Sequence, residues 1–158
     1  MESRHLHAAV ILAAALGLVI ALFAAAEFFD ASLRQLCQIN SFFSCSTVDV
    51  SGRTTTLGVP DYLWGIGGFG VILGLGLLAD RFPFDPRYRW GLLGVTTLGV
   101  AFAGYFLYVE LALIGALCVV CASAYVMGAV SWIASLAIVR QGDPVSATAP
   151  PSTRRRHR

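Results

Sequence analysis

LIGALCVVCASAYVMGAVSWIASLAIV, residues Leu113–Val139, runs for 27 residues without a charged side chain and carries Cys118 and Cys121 near its start. A bilayer hydrocarbon core about 30 Å thick is crossed by roughly 20 apolar residues in helical form, so this stretch is long enough to span. Working outward from it, three more runs qualify, at about Ala8–Phe28, Tyr62–Ala79 and Trp90–Leu111. Lipid offers the backbone no hydrogen-bond partner, so such runs are expected as helices that satisfy their own amides. The expected fold is an all-α integral membrane protein, a bundle of four transmembrane helices with a long first extracytoplasmic loop. The composition of the 158-residue chain agrees, with 57% hydrophobic and 13% charged residues and a mean hydropathy of +0.73. An ordinary soluble domain carries about 25% charged residues. That balance excludes disorder, a collagen-like repeat and a nucleic-acid-binding domain.

The connections differ in kind. A long loop covers about Phe29–Asp61, a short charged loop covers Asp80–Arg89, and almost nothing separates the third span from the fourth. Residues 1–140 read as one membrane domain. Residues 141–158 read as a disordered, basic tail, rich in Pro, Ser and Thr and ending in Arg154, Arg155, Arg156, His157 and Arg158; it is too poor in apolar side chains to fold. All eleven basic residues are Arg, and they orient the bundle, because cytoplasmic loops carry the excess of positive charge. Arg4, Arg81, Arg87, Arg89, Arg140 and the four tail arginines fall on one side, and only Arg34 and Arg53 on the other. Both termini are therefore expected in the cytoplasm and the long loop outside the cell membrane. The first run also has the Arg-bearing start and the Ala24-Ala25-Ala26 of a cleavable signal peptide. Signal cores are about 7–15 residues, and this run is longer, which favours a retained span. In the second span, Gly70 and Gly74 make a small-xxx-small pair of the kind that lets helices approach closely.

Four cysteines carry the chemistry. Cys118 and Cys121 stand at i and i+3, on one helical face and within disulfide reach. They lie near a helix N-terminus, whose free amides and dipole suit a reactive, exchangeable sulfur. A structural disulfide gains little from closing so small a loop. The bland alternative is a pair of inert membrane cysteines. No metal is expected, because neither a His nor a second close Cys pair stands beside them. Cys37 and Cys45 lie in the long loop, which on this orientation faces an oxidising compartment where a disulfide persists. Alone they read as a staple; with the second pair on the same side they read as half of a thiol–disulfide relay. Electrons in such a relay need an exit, and a lipid-soluble quinone reaches a CxxC inside an apolar bundle. Polar side chains at bundle depth are candidate site residues, here Ser51, Asp61, Glu110 and Tyr125. Tyr125 lies one turn deeper than Cys121 on the same face, where its hydroxyl would hydrogen-bond a quinone carbonyl, with ordinary packing as the alternative. Asp61, following Pro60, reads equally as a helix-start cap, and Glu110 as a residue resting at the interface.

The order of these features resembles the vitamin K epoxide reductase family: Cys37-x7-Cys45, then Ser51, then Cys118-Val-Val-Cys121 with Tyr125 four residues on, in a four-span chain. The runs LGVPDYLWG (Leu57–Gly65) and YVEL (Tyr108–Leu111) look like its prokaryotic branch, and the likeness covers about Ala8–Val139. The resemblance implies a catalytic set of Cys37, Cys45, Cys118 and Cys121. In it, Cys37 exchanges with a partner protein, Cys45 trades bonds with Cys118, and Cys121 faces and reacts with a quinone. It also implies a cofactor set of Asp61, Tyr125 and Ser51, with Ser51 supporting the loop and the cysteines. Asp61 stands where vertebrate members carry an Asn, which weakens the case for vitamin K epoxide as substrate. The implied function is a quinone-dependent thiol–disulfide oxidoreductase. It would oxidise a thioredoxin-fold, DsbA-like protein at the outer face and reduce a menaquinone, ubiquinone or vitamin K type quinone, supporting disulfide formation in exported proteins. Many bacterial members carry a fused thioredoxin-like domain; the 19 residues after Val139 do not hold one, so the partner is expected to be separate. Four alternatives are weighed against this function: a vertebrate-type vitamin K epoxide reductase, a DsbB-type oxidase, a claudin-like structural protein with a loop disulfide, and a transporter or channel component, for which no ionisable relay runs through the bundle centre. The DsbB type carries its CxxC in the first outer loop, and a claudin-like protein needs no CxxC in its last span.

Overall fold

Four helices of the computed structural model are long and apolar enough to cross a membrane: Arg4–Phe29, Asp61–Arg81, Pro86–Ile114 and Val119–Gln141. The structure describes residues 2–49, 51, 55–83 and 85–142. Arg53 and the expected disordered tail from residue 143 onward lie outside the described residues. Helix α1 (Glu2–Phe29) leads into two short loop helices, α2 (Ala31–Leu36) and α3 (Cys45–Asp49). A small antiparallel hairpin of β1 (Thr55–Thr56) and β2 (Val59–Pro60) then feeds α4 (Asp61–Arg81). Helix α5 (Pro86–Tyr108) starts with Pro86 in its first turn, and the Asp85 carboxylate accepts the Arg87 amide at 2.9 Å, a charged cap on a proline-opened helix. It runs on as a π-turn, Val109–Ile114, before α6 (Val119–Gly142) closes the chain.

The third and fourth spans divide differently from the expected Trp90–Leu111 and Leu113–Val139. The third continues to Ile114 and the fourth begins at Val119. Gly115 adopts φ 76°, and its amide donates to the Glu110 carbonyl at 2.8 Å, the left-handed stop that ends a helix at little steric cost. Residues 115–118 are apolar yet non-helical, so a hydropathy reading runs straight through them.

Around the bundle, α1 packs on α4 and α6, and α5 packs on the same two, giving the ring order α1–α4–α5–α6. Val10, Ala14 and Ala21 of α1 meet Phe69 and Ile72 of α4 and Ala134 and Ile138 of α6 in the core. Leu12, Leu16, Val19, Leu98 and Ile133 are exposed, so the bundle turns an apolar surface outward as well as inward, as lipid requires. Buried hydroxyls close on their own helices: Thr96 donates to the Leu92 carbonyl at 2.9 Å, and Ser135 to that of Ser131 at 2.7 Å.

The close helix approach falls elsewhere than at Gly70 and Gly74. A Cβ added at either would meet nothing within 4 Å, because both face outward. The inward face of α4 instead carries Gly65, Phe69, Ile72 and Gly76, and the Phe69 ring lies directly on the backbone of Gly17 in α1. Gly17→Leu is accordingly expected to force α1 and α4 apart and destabilise the bundle by about 1–3 kcal/mol, the usual cost of overpacking. Gly70→Leu is expected to be neutral. Thermal unfolding of the two variants in detergent, side by side, tests this; equal midpoints would refute it.

Candidate active site

The long loop is folded against the junction of α5 and α6. The Asn40 carboxamide oxygen accepts the amides of Phe42 and Phe43 at 2.9 and 2.8 Å, turning the chain back on itself. Phe43 then pairs with Leu117 in a parallel bridge: the Leu117 amide donates to the Phe42 carbonyl at 2.8 Å, and the Ser44 amide to the Leu117 carbonyl at 3.2 Å. Immediately beyond the bridge, both strands turn into helices. Ser44 caps α3, its Oγ accepting the Thr47 amide at 3.2 Å, and Cys45 is the first residue of that helix. Cys118 plays the same part for α6, its Sγ accepting the Cys121 amide at 3.2 Å. One two-residue bridge thus sets two cysteine-bearing helix starts side by side.

Cys37 and Cys45 form a disulfide, with Cα atoms 5.8 Å apart, whereas Cys118 and Cys121 are free thiols. The Cys118 sulfur lies 3.2 Å from the Cys45 sulfur, and the sulfurs of Cys37, Cys45 and Cys118 all fall within 4.8 Å of one another. The four cysteines that the spacing singled out therefore come together in one cluster, packed with Val48, Ala116 and Ile114. Exposure grades through it: Cys37 is 8% exposed, Cys118 2% and Cys45 0%. A disulfide with a thiol at van der Waals distance from one of its sulfurs is a thiol–disulfide exchange site by geometry.

Cys121 opens the other way, onto a cavity of about 680 Å³ enclosed by α4, α5, α6 and the end of α1. Trp64, Phe102 and Phe106 line it together with Asp61, Cys121 and Tyr125. Asp61 and Tyr125 are thus brought to one chamber. Asp61 is the first residue of α4, where Pro60 holds the cap position and no side chain caps the helix start, so the cap reading gives way: its Oδ1 accepts the neighbouring Tyr62 amide at 2.7 Å, and Asp61 lines the cavity. Ser51 departs from the cofactor set: it is not among the cavity-lining residues. Its hydroxyl donates to the Val48 carbonyl at 2.7 Å, tying down the end of α3 beneath the cysteines, a loop-supporting place set by the turn after α3.

Glu110 is held inside the protein and is turned neither to lipid nor to water. It is 2% exposed; its Oε2 accepts the Cys118 amide at 3.0 Å and its Oε1 the Tyr125 hydroxyl at 2.7 Å. The phenol proton of Tyr125 is thereby directed at Glu110. The signal in the sequence was an acid in an apolar run, eight residues ahead of a CxxC; an ionisable group at bundle depth is costly and seldom idle.

Residues 8–136 match the sequence profile of the Vitamin K epoxide reductase family. The chain belongs to that family. The match reaches into all four spans and takes in every cysteine. As a vitamin K epoxide reductase family member the protein is an integral membrane helical bundle and an oxidoreductase acting on disulfides, within a family that generally uses a quinone. The chamber fits such a group. Its volume lies inside the about 300–1,000 Å³ range of small-molecule sites, its wall carries Trp64, Phe102 and Phe106, and Asp61, Tyr125 and Cys121 supply polar groups to it.

Proposed function

We propose that the protein carries electrons from the dithiol of a separate thioredoxin-fold, DsbA-like protein, through Cys37/Cys45 and then Cys118/Cys121, to a membrane quinone held in the chamber. The observation that carries this reading is the 3.2 Å approach of the Cys118 and Cys45 sulfurs, with Cys121 on the chamber wall. A scaffold with a loop disulfide has no use for that contact.

A partner thiolate attacks Cys37, the most accessible sulfur of the exchanging trio, and breaks the Cys37–Cys45 bond. The partner's second thiol resolves the mixed disulfide, so the partner leaves oxidised and the loop pair is reduced. Cys45 then attacks Cys118 in a Cys118–Cys121 disulfide, and Cys121 leaves as thiol. Attack of Cys37 on Cys45 restores the loop disulfide and releases Cys118. Each exchange makes one S–S bond and breaks one, and two electrons arrive at Cys118 and Cys121. That is the distribution in the structure, with the loop pair closed and the inner pair open. A quinone would supply the acceptor for those two electrons and two protons, and Asp61 and Tyr125, both on the chamber wall, would hold its head group.

The orientation belongs to the same reading. Arg4, Arg81, Arg87, Arg89 and Arg140 all stand at the bundle end remote from the cysteines, which supports a cytoplasmic placement for that end and for both termini. The cysteines then face the extracytoplasmic side, where exported proteins acquire disulfides. Residues up to about 140 act as one membrane unit.

The test is turnover of purified protein with a reduced thioredoxin-fold substrate and a menaquinone or ubiquinone analogue. Quinol is expected to appear one-for-one with partner disulfide. Cys121→Ala is expected to abolish quinol formation while the partner still opens the Cys37–Cys45 bond. Partner oxidation with no quinol from the intact protein would overturn the proposal.

A further inference from the structure

Glu110 binds the two halves of this site to each other. The π-turn Val109–Ile114 brings it inward, and the backbone fixes it there: its carbonyl accepts the amides of both Gly115 and Ala116, at 2.8 and 3.2 Å. Its carboxylate then reaches in two directions. One oxygen accepts the amide of Cys118, the residue whose sulfur meets Cys45, and the other accepts the hydroxyl of Tyr125 on the chamber wall. Helix irregularities of the π type occur often at functional sites, and here the extra residue in the turn is what aims the side chain.

We infer that Glu110 is a positioning residue for disulfide exchange: by holding the Cys118 amide it keeps the Cys118 sulfur within reach of Cys45, while its second oxygen fixes the rotamer of Tyr125. The inference rests on the relay reading and adds to it a residue that bears no sulfur. What it requires of position 110 is reach, an acceptor oxygen extended to the Cys118 amide, and not negative charge. Gln keeps that reach. Its carbonyl oxygen accepts from Cys118 while its NH2 donates to the Tyr125 oxygen, which has lone pairs to spare. Asp keeps the charge and loses one methylene, so its oxygens fall short of at least one of the two donors.

The exchange step is isolated in a Cys121→Ala background, which preserves the amide that donates to the Cys118 sulfur. There the Cys118 thiolate attacks Cys45, the Cys45–Cys118 bond forms, the Cys37–Cys45 bond breaks, and Cys37 is released as thiol. No external oxidant or reductant enters. The rate at which a charged maleimide labels Cys37 reports the exchange, and mass spectrometry identifies the Cys45–Cys118 linkage. Glu110→Asp is expected to slow labelling about tenfold, the loss of one hydrogen bond to a charged acceptor. Glu110→Gln is expected to label at no less than about a third of the parent rate, because the bond to Cys118 survives. Both changes are conservative, and thermal midpoints measured in the same detergent check that the fold persists. If Asp labels at the parent rate, if Gln is as slow as Asp, or if Asp outpaces Gln, the inference is wrong. If the Cys121→Ala parent itself forms no Cys45–Cys118 linkage, the relay reading has failed and the inference falls with it.

Discussion

Cys118→Ser is expected to drop quinone reduction to the uncatalysed background, a loss on the order of 10³-fold or more, as for removal of an obligatory nucleophile. The fold should survive, because Cys118 is the capping residue of α6 and its sulfur accepts the Cys121 amide. Ser is among the preferred residues at that position, so the hydroxyl takes over the cap and the helix start is preserved. What disappears is the only sulfur 3.2 Å from Cys45 that can link the loop pair to the chamber. A single turnover of the partner against Cys37–Cys45 should therefore proceed normally, with one equivalent of partner oxidised and then nothing. The measurement is stopped-flow quinone absorbance beside a quenched thiol count. Sustained turnover by the serine variant would refute the relay, since no route from the loop pair to Cys121 would remain.

The parts of this molecule that a sequence exposes are those written in one-dimensional spacing. Four apolar runs, an eight-residue step between two loop cysteines, and a CxxC at the head of the last run are visible without any contact map, and the bundle follows from them. The break between the third and fourth spans was not visible, because Ala116 and Leu117 are as apolar as the helices they separate. Only the positive φ of Gly115 and the bridge from Leu117 to Phe43 reveal it. The glycines misled for a related reason. Gly70 and Gly74 have the spacing of a packing motif, yet they lie on the outer face of α4. Gly17, in the equally spaced run Ala13-xxx-Gly17-xxx-Ala21 of the first span, is where Phe69 packs. Spacing reports which residues share a face, and not which face meets a neighbour.

Glu110 shows what lies between those limits. Its place in an apolar run marked it as unusual, but its two bonds depend on a π-turn that rotates the side chain inward and on a loop whose docking fixes the start of α6. Those are tertiary facts. Tyr125 was legible as a residue on the Cys121 face; the direction of its hydroxyl was not, because the partner that takes its proton lies fifteen residues away across the α5–α6 junction. For Tyr125 to donate to a quinone carbonyl it must release Glu110, and until then it offers a ligand its oxygen lone pairs.

Gly128→Phe is expected to raise the KM for a quinone analogue about 10- to 100-fold, while Cys118–Cys45 exchange is unchanged. Gly128 lines the chamber, and a Cβ there meets nothing within 4 Å. It lies three residues past Tyr125 and seven past Cys121, on the same helical face. At about 1.5 Å of rise per residue, seven residues put it roughly 10 Å down α6 from the sulfurs. A phenyl ring grown from that position takes up chamber volume without touching the exchange cluster or the Glu110 bonds. Forcing a ligand against such a wall costs about 1–3 kcal/mol, which brackets the stated change in KM. Two readouts separate the chamber from the relay. Maleimide labelling of Cys37 in the Cys121→Ala background should proceed at the parent rate, and partner oxidation should recover at saturating quinone analogue. An outward control, Gly70→Phe, adds the same ring to the face of α4 turned away from its neighbours and should leave both numbers alone. If Gly128→Phe lowers kcat with KM unchanged, the ring acts on the sulfurs and not on a ligand. If neither constant moves, the acceptor binds elsewhere, and Cys121 must give up its electrons to something other than an occupant of this chamber.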